Sequence, residues 1–316
     1  LLLYELVFDF KNKDEINKKY QEIINSINNV GFKETVIKYS ISNSKLEAGS
    51  LGWVNKNALN QVFNLTYGKA CSIADMSEII RQHFPGIKVR NVERDKFRHP
   101  YETLKFFGIE PEMTVVELSP GGGWYTEILA IYMYDEGELI TAPYSASLSD
   151  YAKRSREAFE AKLKSKSIYE KVKIVDLFGK LAENETVDAV LTFRNVHNWL
   201  GEDGSGVKKV FEQSYAALKP GGILGVVEHR ANPGISIKEM KKSGYVTEEF
   251  TINLAEEAGF ILSKKSQINA NVKDTKDHPN GVWTLPPSLY LKDGNKEKYR
   301  QIGESDRMTL LFKKPI

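Results

Sequence analysis

From residue 98 onward, short apolar runs alternate with stretches in which apolar residues recur at helical spacing. Runs of the first kind predict buried strands, and stretches of the second kind predict amphipathic helices. The predicted strands cover residues 113–118, 137–142, 172–177, 187–193, 221–228, 260–267 and 308–313. The clearest predicted helices cover residues 122–133, 150–165, 205–218 and 247–258. This alternation predicts an α/β fold with a doubly wound, mostly parallel, seven-stranded sheet, whose last two strands form an antiparallel edge.

The first 97 residues follow a different pattern. Residues 1–60 contain nine asparagines against eleven in the remaining 256, so the composition changes near residue 60. We predict a strand over residues 2–10, a helix with apolar positions between Ile16 and Ile27, and a second helix over residues 32–39. Together these elements make a small α+β region. Residues 61–97 predict a strand, a helix and a strand, which we interpret as a linking α/β segment.

Charge and composition exclude several classes of function. The 44 basic and 42 acidic residues nearly balance, so we expect no nucleic acid and no membrane as partner. No apolar run reaches the length of a membrane span, and the single cysteine, Cys71, excludes an internal disulfide. Leu1–Leu3 is too short for a signal peptide, and the chain begins without methionine. A removed leader and a fragment both stay open, as do a cytoplasmic and a periplasmic location.

The most informative stretch joins the first strand of the α/β region to its first helix, MTVVELSPGGGWYTEIL. Gly121, Gly122 and Gly123 let the backbone turn sharply and approach a ligand closely. The free N–H groups at the start of the helix favour a carboxylate or a phosphate. We therefore predict a cradle for a small anionic or zwitterionic cofactor, with an ordinary strand-to-helix turn as the alternative.

Ligands of a doubly wound sheet bind beyond the carboxyl ends of its strands. The predicted loops at these ends are rich in polar and aromatic side chains. They are Ser119–Gly123 after the first strand, Asp176, Leu177 and Phe178 after the third, Arg194, Asn195, Val196, His197, Asn198 and Trp199 after the fourth, and Glu228, His229 and Arg230 after the fifth. We expect the ligand site among these residues.

The same residues resemble class I S-adenosylmethionine-dependent methyltransferases. ELSPGGGWYT is similar to the cofactor loop of that family, VDAVLTFRNVHNWL to its fourth-strand motif, and ALKPGGILGVVEH to its Lys-Pro-Gly-Gly turn and fifth strand. The resemblance covers about residues 98–316. Within the family, RHPYETLKFFGI, FRNVHNWL, INANVKDTKDHPNGVWTLPP and GESDRM resemble a bacterial group of predicted methyltransferases. The resemblance implies a Rossmann-like fold, S-adenosylmethionine as cofactor, and methyl transfer to a small or medium acceptor.

This resemblance implies that residues at the strand ends bind the cofactor. These residues are Glu117, Ser119, Gly121, Gly122, Gly123, Asp176, Leu177, Arg194 and Asn195. Glu117 occupies the acidic place in the first strand and would orient the methionine ammonium. The sequence departs from the family at two places. Ser119 stands where the usual loop opens with glycine, and the second strand ends in GELITAPYS, without the acid that normally holds the ribose hydroxyls.

Methyl transfer from a sulfonium requires in-line positioning, and a base when the acceptor is protonated. His197 is the predicted base, with a histidine that fixes its loop by hydrogen bonds as the alternative. Asn195 would present an amide to the acceptor or cap the segment that follows it. Glu228 and His229 would take part in catalysis or form a structural salt-bridge cluster with Arg230.

The insertion between the last two strands, residues 269–306, predicts a lid that shapes the acceptor pocket, because long loops in compact domains tend to be functional. It contains Asp274, Asp277 and His278, which show no recognised metal-ligand spacing with His197 or His229. We therefore predict no metal site.

The amino-terminal segments carry two further resemblances. GFKETVIKYSISNSKLEAGSLGWVNKNAL resembles the first half of the parvulin-type peptidyl-prolyl isomerases, and residues 62–97 resemble the carboxyl-terminal tail of nucleotide-sugar epimerases. The histidine usual in the first parvulin strand is absent from YELVFDF, so we do not expect isomerase activity. An alternative to the enzyme is a non-catalytic binding module in which residues 1–60 hold an extended peptide, and a fused or misassembled chain is also open.

Overall fold

The computed structural model describes residues 2–4, 22, 26, 29, 38, 50–53, 94–291, 294 and 296–316. The chain divides into two compact units, Leu1–Pro85 and Gly86–Ile316. In the first unit, β1 (Leu2–Tyr4) pairs antiparallel with β2 (Ser50–Trp53). Four isolated residues of this unit are helical, namely Glu22, Ser26, Asn29 and Lys38.

Several predictions for the amino-terminal unit lie outside the described residues. These are most of the strand at 2–10, most of the helices near residues 16–27 and 32–39, and nearly all of the segment 61–97. The parvulin-like and epimerase-like resemblances stay predictions for this reason. So do the peptide-binding role of residues 1–60 and the division of the chain at residues 60 and 97.

The second unit is built from helices and strands in alternation. Its helices are α1 (Asp95–Arg98), α2 (Pro100–Phe107), α3 (Trp124–Tyr132), α4 (Asp150–Lys164), α5 (Ser205–Ala217), α6 (Ile237–Ser243), α7 (Glu248–Glu257) and α8 (Lys296–Ile302). Its strands are β3 (Thr114–Leu118), β4 (Glu138–Ala142), β5 (Lys173–Ile174), β6 (Val187–Phe193), β7 (Leu218–His229), β8 (Ile261–Ser266) and β9 (Arg307–Lys313). Among the described residues, no helix combines the length and the apolar composition needed to cross a bilayer.

The seven strands of this unit form one sheet in the order β5-β4-β3-β6-β7-β9-β8. The pairs from β5 to β7 are parallel, and β9 is antiparallel to both β7 and β8. The prediction of a doubly wound, mostly parallel sheet of seven strands with an antiparallel edge is confirmed. Helix α3 starts two residues later than predicted, at Trp124, because Gly123 has a φ of 72° and cannot continue a right-handed helix.

Both faces of the sheet are buried, as a parallel sheet requires. Successive residues of β3 point to opposite faces. Val116 and Leu118 belong to one hydrophobic cluster together with α5, whereas Val115 belongs to a second cluster together with α2 and α3. Every one of these three side chains is fully buried. The sheet is therefore a rigid layer between two cores, and it fixes where the strand ends lie.

Strand order reverses between β3 and β6, because the chain runs outward from β3 in one direction to β4 and β5 and in the other to β6 and β7. At such a switch point the loops that follow the two central strands separate and leave a crevice. The register pairs Leu118 with Thr192 and Phe193 with Val227. The carboxyl ends of β3, β6 and β7 consequently meet at one edge of the sheet.

Candidate functional site

The loop between β3 and α3 leaves open space where a ligand could approach. Ser119 and Gly121 have φ values of 47° and 57°, in the left-handed region, and Gly123 precedes the first residue of α3. A Cβ atom added at Gly121 or Gly122 would meet no heavy atom within 4 Å. The Ser119 hydroxyl is buried and has no hydrogen-bond partner in the described part of the chain. An unfilled cradle, an unused hydroxyl and a helix amino terminus therefore lie together.

Glu117 lies directly below this loop, in β3. Its carboxylate is buried and accepts a hydrogen bond of 2.6 Å from the Thr126 hydroxyl of α3. Burial raises the pKa of Glu117 to about 7, and the hydrogen bond from Thr126 opposes part of that rise. Glu117 is thus an acid that titrates near neutral pH at the edge of the cradle.

Asn195 ties the loop after β6 to the loop after β3. Its side-chain nitrogen Nδ2 lies 3.3 Å from the Leu118 carbonyl oxygen, 3.2 Å from that of Ser119 and 3.3 Å from that of Phe193. An amide has two N–H groups, so three carbonyl oxygens exceed what it can satisfy. The crevice between β3 and β6 is consequently rich in acceptors, a composition that suits a cationic donor.

His197 and Glu228 form a hydrogen-bonded pair at the ends of β6 and β7. The distance from His197 Nδ1 to Glu228 Oε1 is 3.0 Å, and Glu228 is fully buried. Glu228 also accepts the backbone N–H groups of His197 and His229, at 3.3 and 2.7 Å. Because a carboxylate can only accept, Nδ1 of His197 carries the hydrogen and Nε2 keeps its lone pair. This arrangement orients His197 as a base.

His229 lies beside this pair, with 5.3 Å between the two imidazole centroids. Its Nδ1 atom is 2.5 Å from the Ser305 hydroxyl oxygen. Burial, followed by electrostatic interaction with the neighbouring His197 imidazole and with nearby arginines, lowers the pKa of His229 well below its usual value. His229 is therefore neutral at physiological pH.

Two aromatic side chains lie beside the histidines, Trp283 from the predicted lid and Tyr245 from the segment between α6 and α7. The Trp283 ring stands edge-on to His197, 6.1 Å away, and Tyr245 stands edge-on to His229 at 6.4 Å. The Tyr245 hydroxyl donates to Asp274, 2.9 Å from Oδ1, and His278 Nε2 lies 2.8 Å from the same oxygen. Asp274 and His278 thus hold Tyr245 in position.

His197, Glu228 and His229 each place one potential metal-ligand atom within 4.8 Å of the other two, and no second such group occurs among the described residues. Two features disfavour a cation there. Glu228 already accepts three N–H groups, and several arginines lie within electrostatic range of His229. The absence of a metal site stays a prediction.

A group of arginines around Glu304 lies next to the histidines, and sequence reasoning did not find it. Arg98 Nε is 2.8 Å from Glu304 Oε2, Arg307 Nη1 is 3.1 Å from Oε2, and Arg94 Nε is 3.1 Å from Oε1. Burial alone would raise the pKa of Glu304, but the charges of Arg98 and Arg307 outweigh it and lower the pKa to about 2. The sequence contained a signal for this group, because its residues lie in two motifs that carry the family resemblance. Arg98 is the first residue of RHPYETLKFFGI, and Glu304 and Arg307 belong to GESDRM.

Tyr144 was also missed. It lies two residues beyond β4, at the strand end that lacks an acid. Burial raises the pKa of Tyr144, while Trp199 and Ser119 act to lower it. Trp199 Nε1 and Ser119 Oγ are both buried without a hydrogen-bond partner in the region that the structure describes. These three groups form a neutral polar patch beside the cradle.

The remaining candidates lie apart from the two histidines. Asp176 and Leu177 lie near Tyr144: Arg156 Nη1 donates to the Tyr144 carbonyl at 3.3 Å and to Asp176 at 2.7 Å, and the buried Leu177 donates its N–H to the Pro143 carbonyl at 2.9 Å. Arg230 is bound to Asp306 and Glu248, at 2.8 and 3.2 Å, which matches the structural salt-bridge alternative for that residue. Asp277 accepts a hydrogen bond from Thr275 at the surface. Their functional roles stay untested predictions.

No family model matches the chain, and no curated protein matches it. Among solved structures, the chain is similar to the [4+2]-cyclase SpnF, with 13% identity, a TM-score of 0.50, and coverage of 78% of this chain and 97% of that chain. It is similar to a SAM-dependent methyltransferase from Aquifex aeolicus, with 18% identity, a TM-score of 0.43, and coverage of 57% and 88%. It is also similar to geranyl diphosphate C-methyltransferase from Streptomyces coelicolor A3(2), with 12% identity, a TM-score of 0.46, and coverage of 72% and 83%.

The chain has a Rossmann-like fold that is similar to that of SpnF, and an identity of 13% shows the fold alone. A fold does not specify one reaction, so the side chains at the strand ends must decide the function.

Replacing Glu304 with glutamine tests the arginine group. The substitution Glu304→Gln leaves Arg98 and Arg307 buried without their carboxylate, and we expect it to lower the free energy of unfolding by about 3 kcal/mol at pH 7. The pKa of Glu304 falls from 4.5 to about 2 on folding, so the difference from the natural chain should shrink as the pH drops through that range. Urea denaturation at pH 7 and pH 3 measures both effects.

The control for this experiment is Glu297→Gln, because Glu297 is an exposed residue of α8 with the same net-charge change. We expect it to leave the urea midpoint unchanged. Equal midpoints for Glu304→Gln and the natural chain would contradict the assigned role of Glu304.

Proposed function

We propose that this chain is a methyltransferase that moves the methyl group of S-adenosylmethionine to a small or medium acceptor. The observation that carries this proposal is the open glycine cradle beside the His197–Glu228 pair. A cradle at a helix amino terminus suits a cofactor with a carboxylate and an ammonium group. A carboxylate-oriented imidazole next to it suits removal of a proton from the acceptor.

The residues present fit this cofactor. The amino terminus of α3 and the Ser119 hydroxyl would hold the carboxylate, and the buried carboxylate of Glu117 would hold the ammonium. Tyr144 and Trp199 of the neutral patch would bind the ribose hydroxyls in place of the missing acid.

S-adenosylmethionine, when bound, would supply a sulfonium methyl group: the acceptor nucleophile would bond to the methyl carbon as the carbon–sulfur bond breaks, and S-adenosylhomocysteine would be the leaving group. His197 Nε2 accepts the proton that the acceptor loses, and the Glu228 carboxylate stabilises the resulting imidazolium through Nδ1–H. His229, which is neutral, can accept or donate a hydrogen bond to orient the acceptor. Trp283, which is 37% exposed, stands edge-on to His197 and would contact the acceptor beside the base.

Calorimetric titration with S-adenosylhomocysteine tests cofactor binding. We expect the natural chain to bind it and Gly122→Leu to lose at least about tenfold in affinity, because the added side chain occupies space that is open without ligand. Gly294→Leu is the control, since Gly294 is exposed and lies far along the chain from the loop. Absence of binding to the natural chain at millimolar concentration would refute the proposal. Equal affinity of Gly122→Leu and Gly294→Leu would refute the assigned place of the cofactor.

The pKa of Glu117 predicts a pH dependence of that affinity. Glu117 is half protonated near pH 7 in the free protein, and a bound ammonium favours its ionised form, so binding should release a proton. We expect the affinity for S-adenosylhomocysteine to rise about tenfold between pH 6 and pH 8 and then to level off. Glu117→Gln should bind with little dependence on pH. A natural chain whose affinity is flat over this interval would contradict an ammonium partner at Glu117.

The assignment of His197 as base predicts its tautomer. In the natural chain, nitrogen-15 NMR should show His197 with hydrogen on Nδ1 and a free lone pair on Nε2. Glu228→Gln replaces an acceptor of three N–H groups with a side chain that has one acceptor and one donor. Only Nδ1 of His197 can change from donor to acceptor, so we expect the hydrogen to move to Nε2. The exposed Glu212→Gln is the control, and an unchanged tautomer in Glu228→Gln would sink the assignment.

A further inference from the structure

Arg194 is a deeply placed cation without a protein partner. Its backbone N–H donates to the Val227 carbonyl, but its guanidinium makes no hydrogen bond or ion pair with any residue that the structure describes. Burial, followed by the charges of Arg98 and Arg307, lowers the pKa of Arg194 well below its usual value. The side chain is nevertheless partly solvent-accessible. A partly accessible guanidinium without a partner can receive a ligand.

The backbone of Arg194 is strained as well. Its φ is 64°, in the left-handed region of backbone conformation that residues other than glycine rarely adopt. Such a conformation is costly, and strained residues of this kind concentrate at functional sites. The hydrogen bond between the Arg194 N–H and the Val227 carbonyl, at 2.6 Å, holds the residue in this conformation at the end of β6.

Positive charge exceeds negative charge around Arg194. Arg94, Arg98 and Arg307 all bind the single carboxylate of Glu304, so the addition of Arg194 makes four arginines to one carboxylate. Arg98 is 2% exposed, and its Nη2 atom is buried without a hydrogen-bond partner among the described groups. A buried donor without a partner costs free energy, and an uncompensated buried charge costs more.

This excess of positive charge lies beside the proposed base. Arg307 is opposite His229 in the pairing of β9 with β7, and Arg194, Arg307 and Arg98 all act to lower the pKa of His229. Ser305, which lies between Glu304 and Arg307 in the chain, forms a hydrogen bond with Nδ1 of His229 through its hydroxyl. The unpaired guanidinium and the histidines therefore belong to one polar cluster at the ends of β6 and β7 and the start of β9.

We propose that Arg194, together with the free Nη2 of Arg98, binds an oxyanion group of the methyl acceptor, namely a carboxylate or a phosphate. A guanidinium binds such groups through two parallel N–H bonds, and a bound anion would offset the repulsion among the four arginines. That the molecule which carries this carboxylate or phosphate is the methyl acceptor rests on the proposed function. The cofactor also carries a carboxylate, so the experiment must separate these two sources.

Thermal unfolding in the presence of simple anions tests this proposal. Acetate and inorganic phosphate are the probes, each compared with sodium chloride at equal ionic strength, without and with saturating S-adenosylhomocysteine. We expect one or both probes to raise the unfolding midpoint of the natural chain by about 3 °C or more in a saturable manner. The shift should persist when S-adenosylhomocysteine is bound, because the acceptor site is separate from the cofactor cradle.

We expect Arg194→Gln to lose the response to anions. It removes one unpaired charge from the arginine group, so its unfolding midpoint without added anion should exceed that of the natural chain, and the shift by acetate or phosphate should disappear. Arg154→Gln is the charge-matched control, because Arg154 is exposed on α4. This variant should keep the anion shift of the natural chain.

Three results would overturn the proposal. The first is that neither probe stabilises the natural chain, and the second is that Arg194→Gln keeps the shift. Either result would mean that Arg194 binds no anion. Alternatively, saturating S-adenosylhomocysteine abolishes the shift, which would assign the arginines to the cofactor carboxylate. An Arg194-dependent shift in a chain that fails to bind S-adenosylhomocysteine would support the anion site and refute methyl transfer, so the two failures are distinguishable.

Discussion

The balance of buried charge at Glu304 is the constraint on which the rest of the site depends. One carboxylate holds Arg98 of α1 and Arg307 of β9, which lie more than 200 residues apart in the chain. Its pKa of about 2 shows that the attraction of the arginines outweighs the cost of burial. The segment 304–307 is fixed by this ion pair, and Ser305 within it contacts His229. The position of the histidines and the excess of positive charge thus have one common origin.

Parallel strands explain why residues from three separate loops can cooperate. The carboxyl ends of β3, β6 and β7 lie at the same edge of the sheet because the three strands are paired parallel. Asn195 joins the first two loops through carbonyl oxygens, and Glu228 joins the last two through N–H groups. These polar contacts are made in a part of the sheet whose two faces are fully packed. The loops are consequently held rigidly enough to position reacting groups.

The fold alone leaves the chemistry open, because one fold can carry many unrelated functions. What favours a transfer reaction is the combination of two features a short distance apart. One is a cradle with unused polar atoms at a helix amino terminus, and the other is an imidazole whose tautomer a buried carboxylate controls. The positive charge around Arg194 adds a third feature, which suits an anionic acceptor better than a metal ion.

Local sequence determined the strands, the main helices and the glycine loop, because periodicity of apolar residues and the conformational freedom of glycine act over a few positions. It also placed His197 and Glu228 at strand ends, since all parallel strands of a doubly wound sheet present their carboxyl ends on one side. Sequence alone did not show that Glu228 binds His197, that Tyr144 stands where the ribose acid is missing, or that Glu304 binds Arg98. Those relations join residues up to 206 positions apart and depend on packing and on desolvation of charge, which only the tertiary structure decides.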